Sequence, residues 1–239
     1  EGVDYSKSYM VVADVARGDG QDYSAFHIFD IETCTQVAEY KGKLSPKEFG
    51  NVLVGIASEY NDALLVCENA NIGWATIEQI LEREYRNMYY STTNNMESVE
   101  SYMYKYERDK LVPGFTMSAR TRPLVIAKMI EYVRDHSVTI QSKRLLSEMR
   151  VFVWKNGKAQ AQDRYNDDLI ISCATALYVR DTALKLRQQG IDLARAQLSS
   201  FNNLNSRNQA VVKPVGYMNE NPYLMKTAQG DEDITWLLK

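Results

Sequence analysis

The sequence predicts an α/β fold built on a mixed sheet, a three-strand antiparallel meander continued by parallel strands, with helices flanking it. Three observations carry this prediction. Residues 9–40 contain three β-rich stretches separated only by short polar turns. A strong helix signal follows, and then Ala63 to Cys67 (ALLVC), an unbroken apolar run of the kind that forms a strand buried on both faces. From there helix and strand signals alternate, the order expected of parallel strands joined by crossover helices.

The first two strands, Tyr9 to Val15 and Ser24 to Ile31, flank Arg17 to Asp22, where Gly18 and Gly20 mark a hairpin turn. Asp30, Thr33 and Cys34 offer side-chain turn partners before the third strand, Thr35 to Tyr40. Ser45-Pro46-Lys47-Glu48 places a Ser cap, a Pro at the first helical position and an acid in the first turn. Phe49, Val52, Leu53, Ile56 and Ala57 then recur at helical spacing to about Tyr60, and Asn61-Asp62 ends the helix. After ALLVC and Glu68-Asn69, a second helix is predicted from Trp74 to about Arg86, with Ile77, Ile80 and Leu81 on one face, followed by a strand at Met88 to Tyr90. Ser91 to Pro113 reads as a loop or hairpin excursion.

Thr121-Arg122-Pro123 starts a helix whose stripe is Leu124, Ile126, Ala127, Ile130 and Val133. A further helix, Ser142 to Met149, leads into a strand at Val151 to Trp154, an Asn156-Gly157 turn and a short polar return strand. Asn166-Asp167-Asp168 caps a long helix, Leu169 to about Gln188, apolar nearly all round in its first half. We read residues 1–190 as one domain and 191–239 as a C-terminal helix, Asp192 to Phe201, with an extended tail. A meander followed by alternation matches a ribonuclease H-like architecture, whereas a doubly wound sheet would open strand, helix, strand.

Composition narrows the function classes. The 239 residues are 45% hydrophobic and 25% charged, with a net charge of −3, which excludes disorder and collagen. No apolar run approaches the roughly 18–20 residues of a membrane span, and Glu1-Gly2-Val3-Asp4 lacks the pattern of a signal peptide, so no membrane partner is expected. Cys34, Cys67 and Cys173 are odd in number and far apart, which favours buried reduced thiols over disulfides or a zinc site. A P-loop motif is absent, which excludes a P-loop ATPase for this chain. The missing initiator Met reads as a piece cut from something longer.

Acids stand at the ends of buried elements. Asp14 ends the first strand, Glu68 ends the ALLVC strand, and Asp167-Asp168 open the last buried helix. Each has an ordinary explanation, Asp14 as a turn residue and the others as helix-start acids. In a ribonuclease H-like sheet, however, the first and fourth strands are neighbours and the last helix packs beside them, so all three positions meet. Carboxylates so close raise one another's pKa unless a positive charge sits among them, and a hard divalent cation with oxygen ligands is the natural partner. Such a site performs phosphodiester chemistry, in the usual arrangement with two ions roughly 3.5–4 Å apart. Asp22, across the hairpin, is a candidate further ligand or supporting group; otherwise it is a loop residue satisfying backbone amides. Basic residues near 41–47, 105–110, 120–128, 143–144 and 155–158 are candidate phosphate contacts, with solvated surface as their default reading. Tyr102, Tyr104 and Tyr106 suit base stacking or one face of a strand, and neither His27 nor His136 has a visible nucleophile partner.

At ADVARGDGQDYSAF, at GWATIEQI after CEN, and at RYNDDLIISCATALYVRDTAL, the sequence resembles the C-terminal nuclease domain of the large terminase of T-even-like tailed bacteriophages, across most of residues 5–217. The resemblance implies a subunit of the DNA-packaging motor that cuts concatemeric double-stranded DNA with Mg²⁺ or Mn²⁺, two ions, on an acidic triad. Asp14 in VVADVARG, Glu68 in LLVCEN and Asp167 or Asp168 in NDD match the family's acids, and Asp22 in GQDYS a further acid near them. Implied partners are double-stranded DNA, the N-terminal ATPase domain of the same full-length chain, the portal protein and the small terminase subunit. The implied location is the host cell cytoplasm, in the packaging motor and not in the mature virion. Two rivals remain at this level. One is a module that grips DNA and docks on the portal with structural acids; the other is an actin-like ATPase, disfavoured because no second Gly-rich phosphate hairpin is present.

Overall fold

The computed structural model describes residues 2–18, 22–70, 72–92, 111–155 and 157–184, and the backbone of 224–227 and 230–233. The chain divides into two units, 1–188 and 189–239.

In the first unit, β1 (Tyr9–Asp14), β2 (Ser24–Asp30) and β3 (Thr35–Gly42) form the antiparallel meander, and α1 (Pro46–Glu59) returns the chain to β4 (Leu64–Cys67). The meander pairs β1 with β2 and β2 with β3, with a bulge between Ile28 and Phe29. β4 lies parallel to β1, pairing Ala13 with Cys67, so the sheet order is β3-β2-β1-β4. This is the predicted mixed sheet. The far side of β4 is bonded as well: the Leu65 amide donates to the Asn87 carbonyl, and the Tyr89 and Phe115 amides donate to the Leu65 and Cys67 carbonyls. Of the predicted strand at Met88 to Tyr90, Met88 makes an isolated bridge to Leu65 and Tyr90 is the first residue of a strand. Regular pairing resumes only in β5 (Tyr90–Thr92) against β6 (Leu111–Pro113), the base of the predicted excursion. Residues 93–110, with their tyrosines and basic side chains, lie outside the described residues.

The side-chain period of 2 divides β1 between two cores. Met10 and Val12 join one cluster, and Tyr9, Val11 and Ala13 the other. The second cluster is covered by α1, through Phe49, Leu53 and Ala57, and by α2 (Gly73–Glu82), through Ile77 and Ile80. Burying Phe49 or Leu53 stabilises by about 1.5–3 kcal/mol each. The first cluster is covered by α3 (Thr121–Arg134), by Leu145 of α4 (Lys143–Arg150), and by α5, residues 168–184, whose Leu169, Ile170, Cys173, Ala174 and Leu177 are all buried. Coverage of both faces explains why β1 and β4 read as nearly continuous apolar runs and why every residue of β2 is buried, His27 included.

Local signals set the boundaries. Ser45 makes a full capping box with Glu48 ahead of Pro46, and Asn61 and Asp62 leave α1 at φ 57° and 49°. α2 stops four residues short of the predicted Arg86, because Glu84 at φ 55° turns the chain back toward β4. β7 (Phe152–Lys155) and β8 (Lys158–Ala161) form the predicted hairpin, with Gly157 at φ 77°. All three cysteines are free and buried. Among the described residues, no helix is long and apolar enough to cross a membrane.

In the second unit, β9 (Leu224–Thr227) and β10 (Gly230–Asp233) pair antiparallel where an extended tail was expected. The expected helix at 192–201 lies outside the described residues.

Candidate active site

The parallel pairing of β1 with β4 builds the site. Ala13 stands opposite Cys67, and the Glu68 amide donates to the Ala13 carbonyl at 3.1 Å, so Asp14 and Glu68 leave the sheet side by side. Their carboxyls share a hydrogen bond. The Glu68 backbone is gripped from behind. It bridges Phe115, the Asn69 amide donates to the Phe115 carbonyl at 3.0 Å, and Asn69 Nδ2 donates to Pro113 O and Thr116 Oγ1. Gly73 passes so near that a Cβ there would lie 1.9 Å from the Glu68 carbonyl oxygen.

The remaining acids come from the start of α5. The Asp167 carbonyl accepts from the Ile171 amide at 2.8 Å, which makes Asp167 the N-cap. Its side chain does not perform the capping. The next amides, Leu169 N and Ile170 N, donate instead to Glu148 Oε2 at 3.1 and 3.4 Å, from the end of α4. The Asp167 carboxylate is therefore free to pair with Arg122 at 2.9 Å. Asp168 is buried and bonded through Oδ2 to Lys41, Asn166 and the Tyr23 amide. Behind it, buried His27 fixes the helix start, donating from Nε2 to the Leu169 carbonyl at 2.9 Å and accepting at Nδ1 from Gln36 at 2.7 Å. Burial pushes the His27 pKa down to about 4, which keeps the ring neutral in this role.

Asp14, Glu68, Asp167 and Asp168 line one cleft of about 500 Å³ with Val15, Ala16, Arg17, Asp22, Tyr23, Ala70 and Ile72. Burial, then the Glu68 charge and hydrogen bond, then Asp168 and Asp167, hold the Asp14 carboxyl well above the usual carboxylate range. Burial also raises Glu68, although its bond with Asp14 and the Arg122 charge pull it back. The two behave as one coupled pair that retains a proton ordinary carboxylates have lost. Asp22 stands apart from this group, on the exposed rim of the cleft.

The four acids expected from strand and helix ends are thus brought to one cleft. In the sequence the cations that organise them, Lys41 and Arg122, fall among the basic residues that are candidate phosphate contacts. Nothing local marks Lys41 for a role among the acids, and Glu148 carries no sequence signal because its partners lie more than 20 residues away. As the side chains stand, Asp167 is turned to Arg122 and Asp168 to Lys41, and among the described residues no three His, Cys, Asp or Glu groups converge as a ready metal cage. The donor set nonetheless fits a hard cation. It offers only carboxylate oxygens, and it contains a coupled pair that stays protonated for want of positive charge.

Sheet order, the two-sided helix cover and an acid cleft at the ends of β1 and β4 define a ribonuclease H-like α/β fold of the terminase nuclease type. The structure is similar to the large terminase nuclease of thermophilic phage G20c with bound magnesium, at a TM-score of 0.56 and 18% identity, covering 74% of this chain and 84% of that one. The G20c domain is also known with cobalt and with zinc bound. The large terminase nuclease domain of Thermus phage P74-26 matches at a TM-score of 0.51 and 19% identity, over 73% of this chain and 80% of that one. At these identities the likeness defines the fold. No protein-family model matches the sequence.

Proposed function

We propose that this chain is the metal-dependent endonuclease domain of a viral DNA-packaging terminase of the T-even-like kind, cutting concatemeric double-stranded DNA. The observation that carries the reading is the register of β1 on β4, which sets Asp14 and Glu68 in hydrogen-bond contact beside the Asp168 carboxylate in an open cleft. Structural metals are held in closed cages, whereas this acid group lines an open, substrate-sized cleft. The bound magnesium of the G20c domain supports the same assignment.

Asp14, Glu68 and Asp168 would hold Mg²⁺ or Mn²⁺, with Asp167 beside them and Asp22 supporting from the rim. Divalent ions supply charge stabilisation of the phosphoryl oxygens and activation of water, in a two-ion arrangement. The protein's own residues do the rest. The Asp14–Glu68 pair would hold the cation in its deprotonated form, so that binding would be linked to loss of the pair's shared proton. Arg17 on the cleft wall and exposed Lys43 nearby attract the DNA backbone. Water oxygen attacks phosphorus, the phosphorus–oxygen bond to one sugar breaks, and the leaving oxygen takes a proton, giving a phosphate end and a hydroxyl end. The ATPase domain, portal protein and small terminase subunit are the proposed partners, in the host cytoplasm.

The test is plasmid cleavage by parent, Asp14→Asn and Glu68→Gln proteins with matching circular dichroism. Loss of cleavage of about 10²-fold or more in both variants supports the reading. Parental rates in both would overturn it.

A further inference from the structure

Asp168 is held through one oxygen. Lys41 Nζ lies 3.1 Å from its Oδ2, Asn166 Nδ2 lies 3.2 Å from the same atom, and the Tyr23 amide donates to it at 3.4 Å. These three donors come from β3, from the segment leading into α5 and from the end of the β1–β2 loop. None of them reaches Oδ1, so among the described residues Oδ1 is the oxygen left to the cleft that Asp168 lines.

Lys41 is itself immobilised. Its ammonium lies 2.5 Å from Glu148 Oε1 and 5.1 Å from the centroid of the Tyr23 ring. Its side chain is only 15% exposed, whereas Lys43, two residues on and over the same ring, is exposed. The other oxygen of Glu148 accepts from Leu169 N and Ile170 N, the amides that follow Asp168 in α5. A continuous path thus runs from the helix start through Glu148 and Lys41 back to the Asp168 carboxylate. Both side chains of the pair are nearly buried, which costs desolvation that a surface cation avoids. Surface solubility does not account for such a placement, and a fixed orientation of Asp168 does.

We infer that Lys41 is a positioning residue for the acid site, anchored by Glu148 and holding Asp168 by Oδ2 so that Oδ1 faces the cleft at a fixed angle. This rests on the metal-dependent reading above. Groups that orient the ligands of a metal site carry roughly 10–100-fold in metal affinity or activity. Replacing Lys41 by Met also leaves the Glu148 carboxylate uncompensated beside Asp168, which drives the two acids apart.

The experiment is calorimetric titration of the 239-residue protein with Mn²⁺ in the absence of DNA, followed by cleavage kinetics at saturating Mn²⁺, for the parent, Lys41→Met, Glu148→Gln and Asp14→Asn. For Lys41→Met we expect Mn²⁺ binding weaker by about tenfold or more and kcat lowered in step, with KM for DNA within about twofold of the parent. Glu148→Gln shifts both in the same direction by less. Unchanged Mn²⁺ affinity in folded Lys41→Met overturns the inference. So does tighter binding, which would make Lys41 a competing counter-ion, or an unchanged kcat with a raised KM, which would make it a phosphate contact. Should Lys41→Met fail to fold, Glu148→Gln decides, and unaltered Mn²⁺ binding by that folded variant overturns the inference. A parent that binds Mn²⁺ no better than Asp14→Asn removes the metal reading and this inference with it, whereas a parent that binds beside an indifferent Lys41→Met removes only the positioning role.

Discussion

Replacing Asp14 by Asn should stabilise the metal-free protein, and the gain should grow with pH. Asp14 sits against Glu68 with Asp167 and Asp168 close by, and its pKa is raised well above the ordinary value of 3.8. A carboxyl whose folded pKa is raised binds its proton more tightly folded than unfolded. Its contribution to stability is therefore complete below the unfolded value and is lost as pH rises through the folded one, at up to about 1.4 kcal/mol per pH unit. Asn has the shape of the protonated acid, keeps an N–H donor for Glu68 and does not titrate. The two proteins should melt together near pH 4. At pH 8 the Asn variant should lead by an amount on the order of 1 kcal/mol or more, each kcal/mol being worth roughly 2–4 °C for a chain of this size. Thermal melts in EDTA from pH 4 to pH 9 measure the difference. A variant less stable than the parent at every pH, by an amount independent of pH, would refute the electrostatic account of the cleft.

Gly73→Ala drives a Cβ against the Glu68 carbonyl, so it should cost about 1–3 kcal/mol in urea unfolding and lower cleavage by about 10²-fold through displacement of Glu68. Removing the α1 cap with Ser45→Ala should cost about 1 kcal/mol and leave the cleavage rate unchanged, since neither Ser45 nor Glu48 lines the acid cleft. The initial cleavage rate at fixed Mn²⁺ should rise with pH as the raised Asp14–Glu68 pair gives up its proton and then level off; a profile flat from pH 5.5 to 9 would argue against that pair as the metal-binding group.

Much of the fold was legible because local chemistry and burial agree. The apolar runs of β1, β2 and β4, the Ser45-Pro46-Glu48 start of α1 and the turn at Gly157 each have a local cause, and the structure places each where that cause puts it. Asp14, Glu68 and the Asp167-Asp168 pair, with the choice within the pair open, were legible as a group because they stand at the ends of buried elements whose topology brings them together. The internal organisation of the site was not legible. Lys41 and Glu148 meet across 107 residues, and nothing in either's neighbourhood distinguishes a buried ion pair from two solvated charges. The roles within NDD were equally hidden, because Asp167 occupies the cap position while a carboxylate from α4 performs the capping. Glu84 ended α2 early through a backbone turn with no Gly or Pro to announce it. The β9–β10 hairpin was missed because LMKT and GDED lack the apolar alternation of a half-buried strand.

The central claim is that the acid cleft cuts DNA with a divalent cation. It is tested most directly by incubating the purified chain with plasmid in Mg²⁺, in Mn²⁺ and in EDTA across a range of salt, with DNA binding followed in the same samples. The account predicts nicked and linear products with either metal and none in EDTA. DNA bound equally well with and without metal, weakening with salt and never cut, would contradict it and favour a domain that grips DNA with its acids serving only structure.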